Sequence, residues 1–189
     1  MDPHEPAAGS FVRMDGSTRE QWMDIYRSHK AHQARAADQM LSMLRSLRGL
    51  YLGFGVDQLH HALQTATLAR RANASDELVL AALCHDVGKV VSFANHPAVA
   101  AELLKPYVSS ATYEIVRTHS DFQGRHYYHH FGGPRELRDR YRDQAWFATA
   151  EQFTDEWDQV AFDPSGPALP LEEFEPLVRQ FFDRFPDVG

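Results

Sequence analysis

Apolar residues recur at helical spacing along most of the chain, and no stretch alternates apolar and polar residues as a half-buried strand does. The first periodic segment predicts a long helix from Ser17 to about Leu47, which breaks or lies on the surface at its polar centre, SHKAHQARAADQ. Ser17 and Glu20 have the spacing of a capping box at its start. Residues 1–16 lack periodicity, and we expect them to form a flexible tail.

Four shorter helices are predicted next. Asp57 can cap the first and Ser75 the second, because a short side-chain oxygen satisfies a free backbone N–H at a helix start. The second, DELVLAALCHDV, is apolar on almost every side, which is typical of a helix at the centre of a fold. The predicted ranges are 57–73, 75–87, 95–105 and 110–119.

Beyond His119, the segment SDFQGRHYYHHFGG is rich in histidine, aromatic residues and glycine, and we expect an irregular loop there. Pro134 begins a short helix, and Asp143 caps a longer one that ends in EWDQVAF. A turn-rich linker, DPSGPALP, precedes a final amphipathic helix, LEEFEPLVRQFFDRF. The chain is therefore predicted to be all-α.

Composition argues against several classes of function. The formal net charge of -7 disfavours a nucleic-acid partner, which would need a basic surface. The single cysteine, Cys84, excludes an intramolecular disulfide and a cysteine-rich zinc site. No apolar run approaches the roughly 20 residues of a membrane span, and the start has no charged-then-apolar signal. We therefore expect a cytoplasmic protein with no membrane partner; the oligomeric state stays open.

The pair His85-Asp86 lies at the end of the most apolar helix. Burying ionisable side chains is costly unless something compensates, and either a bound cation or a capping hydrogen bond can do so. Four more residues of the same chemical types lie at or near other predicted helices, in the order H…HD…H…H…D. Neutral imidazole and carboxylate suit borderline divalent metals. The four are His61, His96, His119 and Asp158.

With these motifs the sequence resembles the HD-domain superfamily of metalloproteins. The resemblance is strongest over residues 51–120, in DQLHHALQTA, LCHDVGKVV, NHPAVAAELL and RTHS, and it resumes at EWDQ. It implies a helical HD-domain bundle at 49–185 that holds a dinuclear metal site. The preceding residues would then form a flexible tail at 1–16 and an N-terminal helical extension at 17–48.

Within the superfamily, the order is most similar to the mixed-valent diiron oxygenases. That group includes myo-inositol oxygenase and bacterial enzymes that cleave the C–P bond of hydroxylated organophosphonates. The resemblance implies two iron ions, Fe(II) and Fe(III), with O₂ as co-substrate, and cleavage of a C–P or C–C bond. The substrate would be a small hydroxylated molecule, phosphonate or polyol-like and anionic. Two-metal HD phosphodiesterases share the order, so a metal-dependent phosphohydrolase is the alternative. A catalytically silent scaffold that binds a ligand or partner is a third.

Carried over residue by residue, the resemblance implies that Asp86 bridges the two irons. A carboxylate has two oxygens and can span two cations, whereas an imidazole nitrogen binds one. The implied ligands are His61, His85, Asp86 and Asp158 for one iron, with Asp86, His96 and His119 for the other.

Besides Asp86, two residues are candidate catalytic side chains. Lys89, in HDVGK, is a candidate substrate contact, as the lysine of myo-inositol oxygenase is at this place; otherwise it satisfies helix-end carbonyls. Tyr51 matches the tyrosine of a Tyr-x-Gly-Glu stretch that gates the open iron in the phosphonate-cleaving enzymes; otherwise it packs in the core. Here the stretch is YLGF, and Phe54 replaces the glutamate that recognises an amino group. An aminophosphonate substrate is therefore disfavoured.

Further substrate contacts are expected in the histidine-rich segment. Gln123, Arg125 and His126 can hydrogen-bond an anionic or polyhydroxylated substrate, while Tyr127 and Tyr128 cover it from water. The alternative is that the aromatic residues only pack the loop. With Lys89 and Tyr51, these three residues make up the predicted substrate-binding set.

Overall fold

The structure, a computed structural model, describes residues 10–184. Across that range it contains α, 3₁₀ and π helices and no β-strand, which confirms the predicted all-α class. No helix in the same range is both long and apolar enough to cross a membrane. The α-helices are α1 (Arg19–Gln33), α2 (Ala36–Ser46), α3 (Gln58–Arg71), α4 (Asp76–Cys84), α5 (His96–Leu104), α6 (Ser110–Tyr127), α7 (Phe147–Gln152) and α8 (Glu175–Phe182).

Short helical turns connect these elements. A π-helical turn, Phe153–Asp158, continues directly from α7. Of the predicted tail, residues 1–9 lie outside the described residues, and residues 14–16 form a 3₁₀ turn. The 3₁₀ turns are Met14–Gly16, Val87–Val90, Phe93–Asn95, Tyr128–Phe131, Leu137–Tyr141 and Leu171–Glu173.

The long first helix of the sequence prediction is two helices, with the break at residues 34–35 inside the polar segment. The capping box lies one residue later than predicted, at Thr18 and Gln21. Helix α1 buries none of its side chains, whereas α2 buries Met40, Leu41 and Leu44 and packs against α8. The second half of the predicted extension therefore shares the core of the bundle, and the domain boundary at residue 48 stays a prediction.

Helix α4 lies at the centre of the core. Ser75 caps it as predicted, since its side chain accepts a hydrogen bond from the backbone N–H of Leu78. All residues from Val79 to Cys84 are buried. Helix α3, which Asp57 caps as predicted, packs along α4, and α5 packs along α6. The start of α3 and the C-terminal end of α4 therefore lie close together in the interior.

The prediction of an irregular loop at residues 120–133 is wrong. Helix α6 continues to Tyr127, and a 3₁₀ turn follows it. A tertiary contact explains the helix, because Phe122 is fully buried against the rings of Trp146 and Phe147. A Cβ at Gly124 would overlap the ring of Tyr128, so glycine is needed where the helix passes into the 3₁₀ turn.

The prediction that Asp143 caps the next helix is also wrong. Helix α7 begins at Phe147, after Trp146, and no side chain caps it. The short helix predicted from Pro134 is the 3₁₀ turn Leu137–Tyr141. The final helix is confirmed, as Leu171–Glu173 and α8, with Pro176 in the first turn of α8, where a missing N–H costs nothing.

Candidate metal centre

Six side chains that the sequence singles out converge in the interior from five separate parts of the chain. Their residues are all buried, and the most accessible of them, His96, is 9% exposed. Burial of so many ionisable groups at one point requires a compensating interaction. The six are His61 on α3, His85 and Asp86 after α4, His96 at the start of α5, His119 on α6 and Asp158 in the π-helical turn.

Local structure brings these residues together. Helix α4 ends at Cys84, and the chain turns at once into a 3₁₀ turn, so His85 and Asp86 both face the interior. A Cβ at Gly88 would overlap the carbonyl oxygen of His96, so this glycine permits the start of α5 to lie against the turn. The π-helical turn ends at Asp158 and places its carboxylate beside His61. Such turns are often found at functional sites.

Asp86 divides the cluster into two sets of donors. Its Oδ2 lies 3.3 Å from Nε2 of His61 and 3.4 Å from Nε2 of His85. Its Oδ1 lies 3.1 Å from Nε2 of His96 and 3.6 Å from Nε2 of His119. The two oxygens of one carboxylate therefore face two separate pairs of imidazoles.

Asp158 belongs to the first set. Its Oδ1 lies 3.2 Å from Nε2 of His61 and 3.5 Å from Nε2 of His85. The first set thus has four donor groups and the second has three, with Asp86 common to both.

The four imidazoles are held in one tautomer. In each of them, Nδ1 donates a hydrogen bond to a backbone carbonyl oxygen, which can only accept. When Nδ1 carries the proton of a neutral imidazole, Nε2 presents its lone pair, the usual arrangement of a metal-binding histidine. The Nδ1–O distances are 3.0 Å for His61 to Ala161, 2.9 Å for His85 to Ala82, and 2.7 Å for both His96 to Phe93 and His119 to Val116.

The negative charges of Asp86 and Asp158 favour a positive charge in the cluster. Burial alone would lower the pKa of His85, but the negative charges of Asp86 and Asp158 outweigh it and raise the pKa to about 10. The pKa of His61 is raised in the same way, against the effect of burial, by hydrogen bonds to both carboxylates. A divalent cation would compensate the same negative charges, and its binding would displace the protons from Nε2 of His61 and His85.

Two buried oxygens support a metal in particular. Oδ1 of Asp86 and Oδ2 of Asp158 have no hydrogen-bond partner, although a buried carboxylate oxygen without one is costly. Nitrogen and oxygen donors of this kind suit iron, manganese and zinc alike. The residues present therefore fit two divalent ions, one on each side of Asp86.

Three side chains adjoin this cluster. Lys89, a predicted catalytic residue, donates to Oδ2 of Asp86 and, over 2.8 Å, to Oε1 of Gln58. Gln123, a predicted substrate contact, donates to Oδ1 of Asp158 over 3.1 Å. Sequence reasoning did not find Gln58, whose position directly after the helix cap carries no chemical signal.

A cavity of about 500 Å³ opens beside the second set of donors. His96, Lys89 and Gln123 reach its wall, and so do five aromatic residues of four different segments. The five are Phe54, Phe93, Tyr127, Phe131 and Phe162. Sequence reasoning did not find Phe93, Phe131 or Phe162 as part of the site.

The other predicted site residues are placed less centrally. His126 lines the cavity, and its Nε2 lies 2.9 Å from Oδ1 of Asp155. Arg125 pairs with Glu136 on the surface and does not line the cavity. Tyr51 does not line it either, and its residue is 54% exposed. The structure brings neither Arg125 nor Tyr51 to the cavity wall.

Comparison with known proteins agrees with this geometry. A family model described as HD domain matches residues 59–163, which is more than half of the chain and includes all six clustered residues. No curated protein matches the chain. HD domains bind divalent metals, and the buried histidine–aspartate cluster could hold them. The chain belongs to the HD-domain family.

Proposed function

We propose that this protein is a dinuclear iron oxygenase that uses O₂ to cleave a C–P or C–C bond of a small hydroxylated, anionic substrate. One observation carries the proposal: the donors divide into four and three around Asp86, and the side with three opens on the cavity through His96. A metal with three protein ligands has positions left for a substrate hydroxyl and O₂. The coarser conclusion, a metal-dependent enzyme, follows from the family and the cluster.

The protein's own groups would orient the reactants and exclude water. When bound, the two irons would supply Lewis acidity and the electrons that O₂ chemistry needs. His61, His85, Asp86 and Asp158 would hold one of them, and Asp86, His96 and His119 the other. Lys89 keeps positive charge at Asp86, where an anionic substrate would bind.

The aromatic wall of the cavity favours oxidation over hydrolysis. Phe54 and Phe162 stack at a centroid distance of 4.6 Å beside His61, on which Phe162 also stacks at 4.2 Å. Apolar rings beside the metal centre keep bulk water away from reactive intermediates, which oxygen chemistry requires. Hydrolysis, in contrast, consumes water.

A metal-dependent phosphohydrolase is the second candidate. The observation in its favour is the donor set itself, since histidine and aspartate would bind manganese or zinc as readily as iron. Ions bound there would supply the Lewis acidity that hydrolysis of a phosphoester needs.

One experiment separates the two candidates. The protein is loaded with iron, oxidised in air, partly reduced with ascorbate and examined by EPR, and O₂ consumption is measured with hydroxylated phosphonates and polyols. We expect the low-field signal of a coupled Fe(II)/Fe(III) pair, a change in that signal with substrate, and O₂ uptake. The manganese form, tested on phosphoesters without O₂, is the control. Robust phosphoester cleavage by that form, with no O₂ uptake on any hydroxylated compound, would overturn the oxygenase in favour of the phosphohydrolase.

A further inference from the structure

We propose that the substrate of this site carries an uncharged apolar body, an aromatic ring or an alkyl chain, attached to its anionic head. The head group at the metal centre rests on the proposed function. The apolar body rests on the cavity alone, and it excludes polyols and amino-substituted substrates.

The aromatic part of the cavity wall reaches the surface. Phe54, Phe93 and Phe131 are 41%, 58% and 82% exposed. Together with Tyr127 and Phe162 they surround the cavity. Large exposed apolar side chains that cluster around a cavity mark a binding site for an apolar group.

Most polar side chains of the cavity wall already have hydrogen-bond partners within the protein. The amide nitrogen of Gln123 donates to Asp158, and that of Gln159 donates to the backbone oxygen of Asp155 over 3.1 Å. His126 bonds Asp155 through Nε2. A polyol would bury several hydroxyl groups against a wall that has few free polar groups, and each hydroxyl left without a partner costs free energy.

Charge disfavours a cationic body. The residues that line the cavity include no aspartate or glutamate. Aromatic rings can attract a cation, but the ammonium of Lys89 already lies 5.8 Å from the ring centre of Phe54 and 6.0 Å from that of Phe93. A second ammonium there would meet like charge.

The size of the cavity agrees with such a body. Its volume is about 500 Å³, whereas a cavity of roughly 150 Å³ is enough to hold benzene. A head group with a phenyl ring or a chain of several methylenes therefore fits.

The test measures binding rather than turnover. The zinc-loaded protein is titrated by calorimetry with 1-hydroxyalkylphosphonates from hydroxymethyl to 1-hydroxyhexyl. Burial of each methylene in an apolar site is worth about a fourfold decrease in Kd at most, and we expect a decrease of about twofold to fourfold per methylene until the cavity is filled. A Kd that does not change with chain length would overturn the proposal.

A matched pair of ligands tests the charge of the body. One phosphonate carries a tert-butyl group, and the other carries the trimethylammonium group of the same shape. We expect the neutral ligand to bind at least about fivefold more tightly, because Lys89 repels the cation. Tighter binding of the ammonium ligand would show that the aromatic wall selects a cation and would overturn the proposal.

Two substitutions locate the apolar contacts. Phe93→Ala and Phe131→Ala should each reduce the gain in affinity per methylene, while both variants fold normally because these residues are exposed. Tyr26→Ala, at an exposed aromatic residue of α1, is the control and should bind as the unaltered protein does. Unchanged chain-length dependence in both phenylalanine variants would contradict the assigned wall.

A parallel series of alkyl phosphates separates this inference from the proposed function. If affinity rises with chain length among the phosphates and no hydroxyphosphonate binds, the proposal of an apolar body is supported and the proposal of an oxygenase is contradicted. If small hydroxyphosphonates bind and are oxidised equally well at every chain length, the proposal of an oxygenase is supported and the proposal of an apolar body is contradicted. If neither series binds, both proposals fall.

Discussion

The metal-binding cluster and the aromatic lining of the cavity differ in burial, charge and the way their side chains are held. In the cluster, the donors are buried ionisable groups, backbone carbonyls fix each imidazole, and only His96 reaches the cavity. The lining is made of aromatic rings, several of them exposed, in which Phe54 stacks on Phe162 and Tyr127 packs on Phe131. The difference separates chemistry from selectivity. Substitutions in the cluster should remove metal, whereas substitutions in the lining should change which ligand binds.

The lining contacts the cluster through Phe93, which packs on His96, and more closely through Phe162. The ring of Phe162 stacks on His61 on one side, with the planes 10° apart, and on Phe54 on the other. The pair Phe162 and Phe54 therefore tests whether the two regions act separately.

The largest effect is expected at Asp86. Asp86→Ala removes the carboxylate that both donor sets share, so the purified variant should hold neither metal and lose all activity. Metal analysis of the protein checks this. Asp143→Ala, at an exposed carboxylate, is the control and should keep two metals per chain. Full occupancy in Asp86→Ala would show that the carboxylate does not bridge.

Removal of one imidazole should cost one metal per chain rather than two. His96→Ala takes a donor from the second set only, so about one metal per chain should remain, held by the four donors of the first set. His61→Ala should instead deplete the first site. Two retained metals in His96→Ala would remove this residue from the ligand set.

A smaller effect is expected at Lys89. Lys89→Ala removes a charge-assisted contact, and such contacts are worth about 1.5–3 kcal/mol, or roughly tenfold to a hundredfold in KM for an anionic substrate. Steady-state kinetics of the metal-loaded variant measure this. Lys105→Ala, at an exposed lysine paired with Glu102, is the matched control. Kinetics like those of the control would leave Lys89 as a structural partner of Gln58 and Asp86.

The smallest effects distinguish Phe162 from Phe54. Phe162→Ala leaves the ring of His61 less well supported and should weaken metal binding about tenfold, as loss of a group behind a metal ligand typically does. Phe54→Ala should leave metal affinity unchanged and weaken only the binding of substrate-like ligands. Chelator competition measures the metal affinity of both. Equal losses of metal affinity in the two variants would show that the cluster and the aromatic lining do not act separately.

The sequence predicts the parts of this picture that depend on local chemistry. Asp57 and Ser75 cap helices because their short side chains reach free backbone N–H groups, and both are seen to do so. The order of histidines and aspartates also predicts the six side chains that converge, since each lies at or near a helix on an apolar framework.

The remaining features depend on contacts between distant segments. The histidine-rich segment has the composition of a loop, but Phe122 is buried against other elements and holds it in α6. Asp155 reaches both His126 and Arg138, at separations of 29 and 17 residues, and no local pattern indicates such a cluster. The aromatic wall likewise combines rings from segments far apart in the chain.

Anomalous X-ray diffraction from crystals of the iron-loaded protein, measured at the iron edge, tests the central claim most directly. We expect two iron peaks on opposite sides of the Asp86 carboxylate. One should lie beside Nε2 of His61 and His85, and the other beside Nε2 of His96 and His119. A single peak, or two peaks that do not share Asp86, would contradict the dinuclear centre on which the account depends.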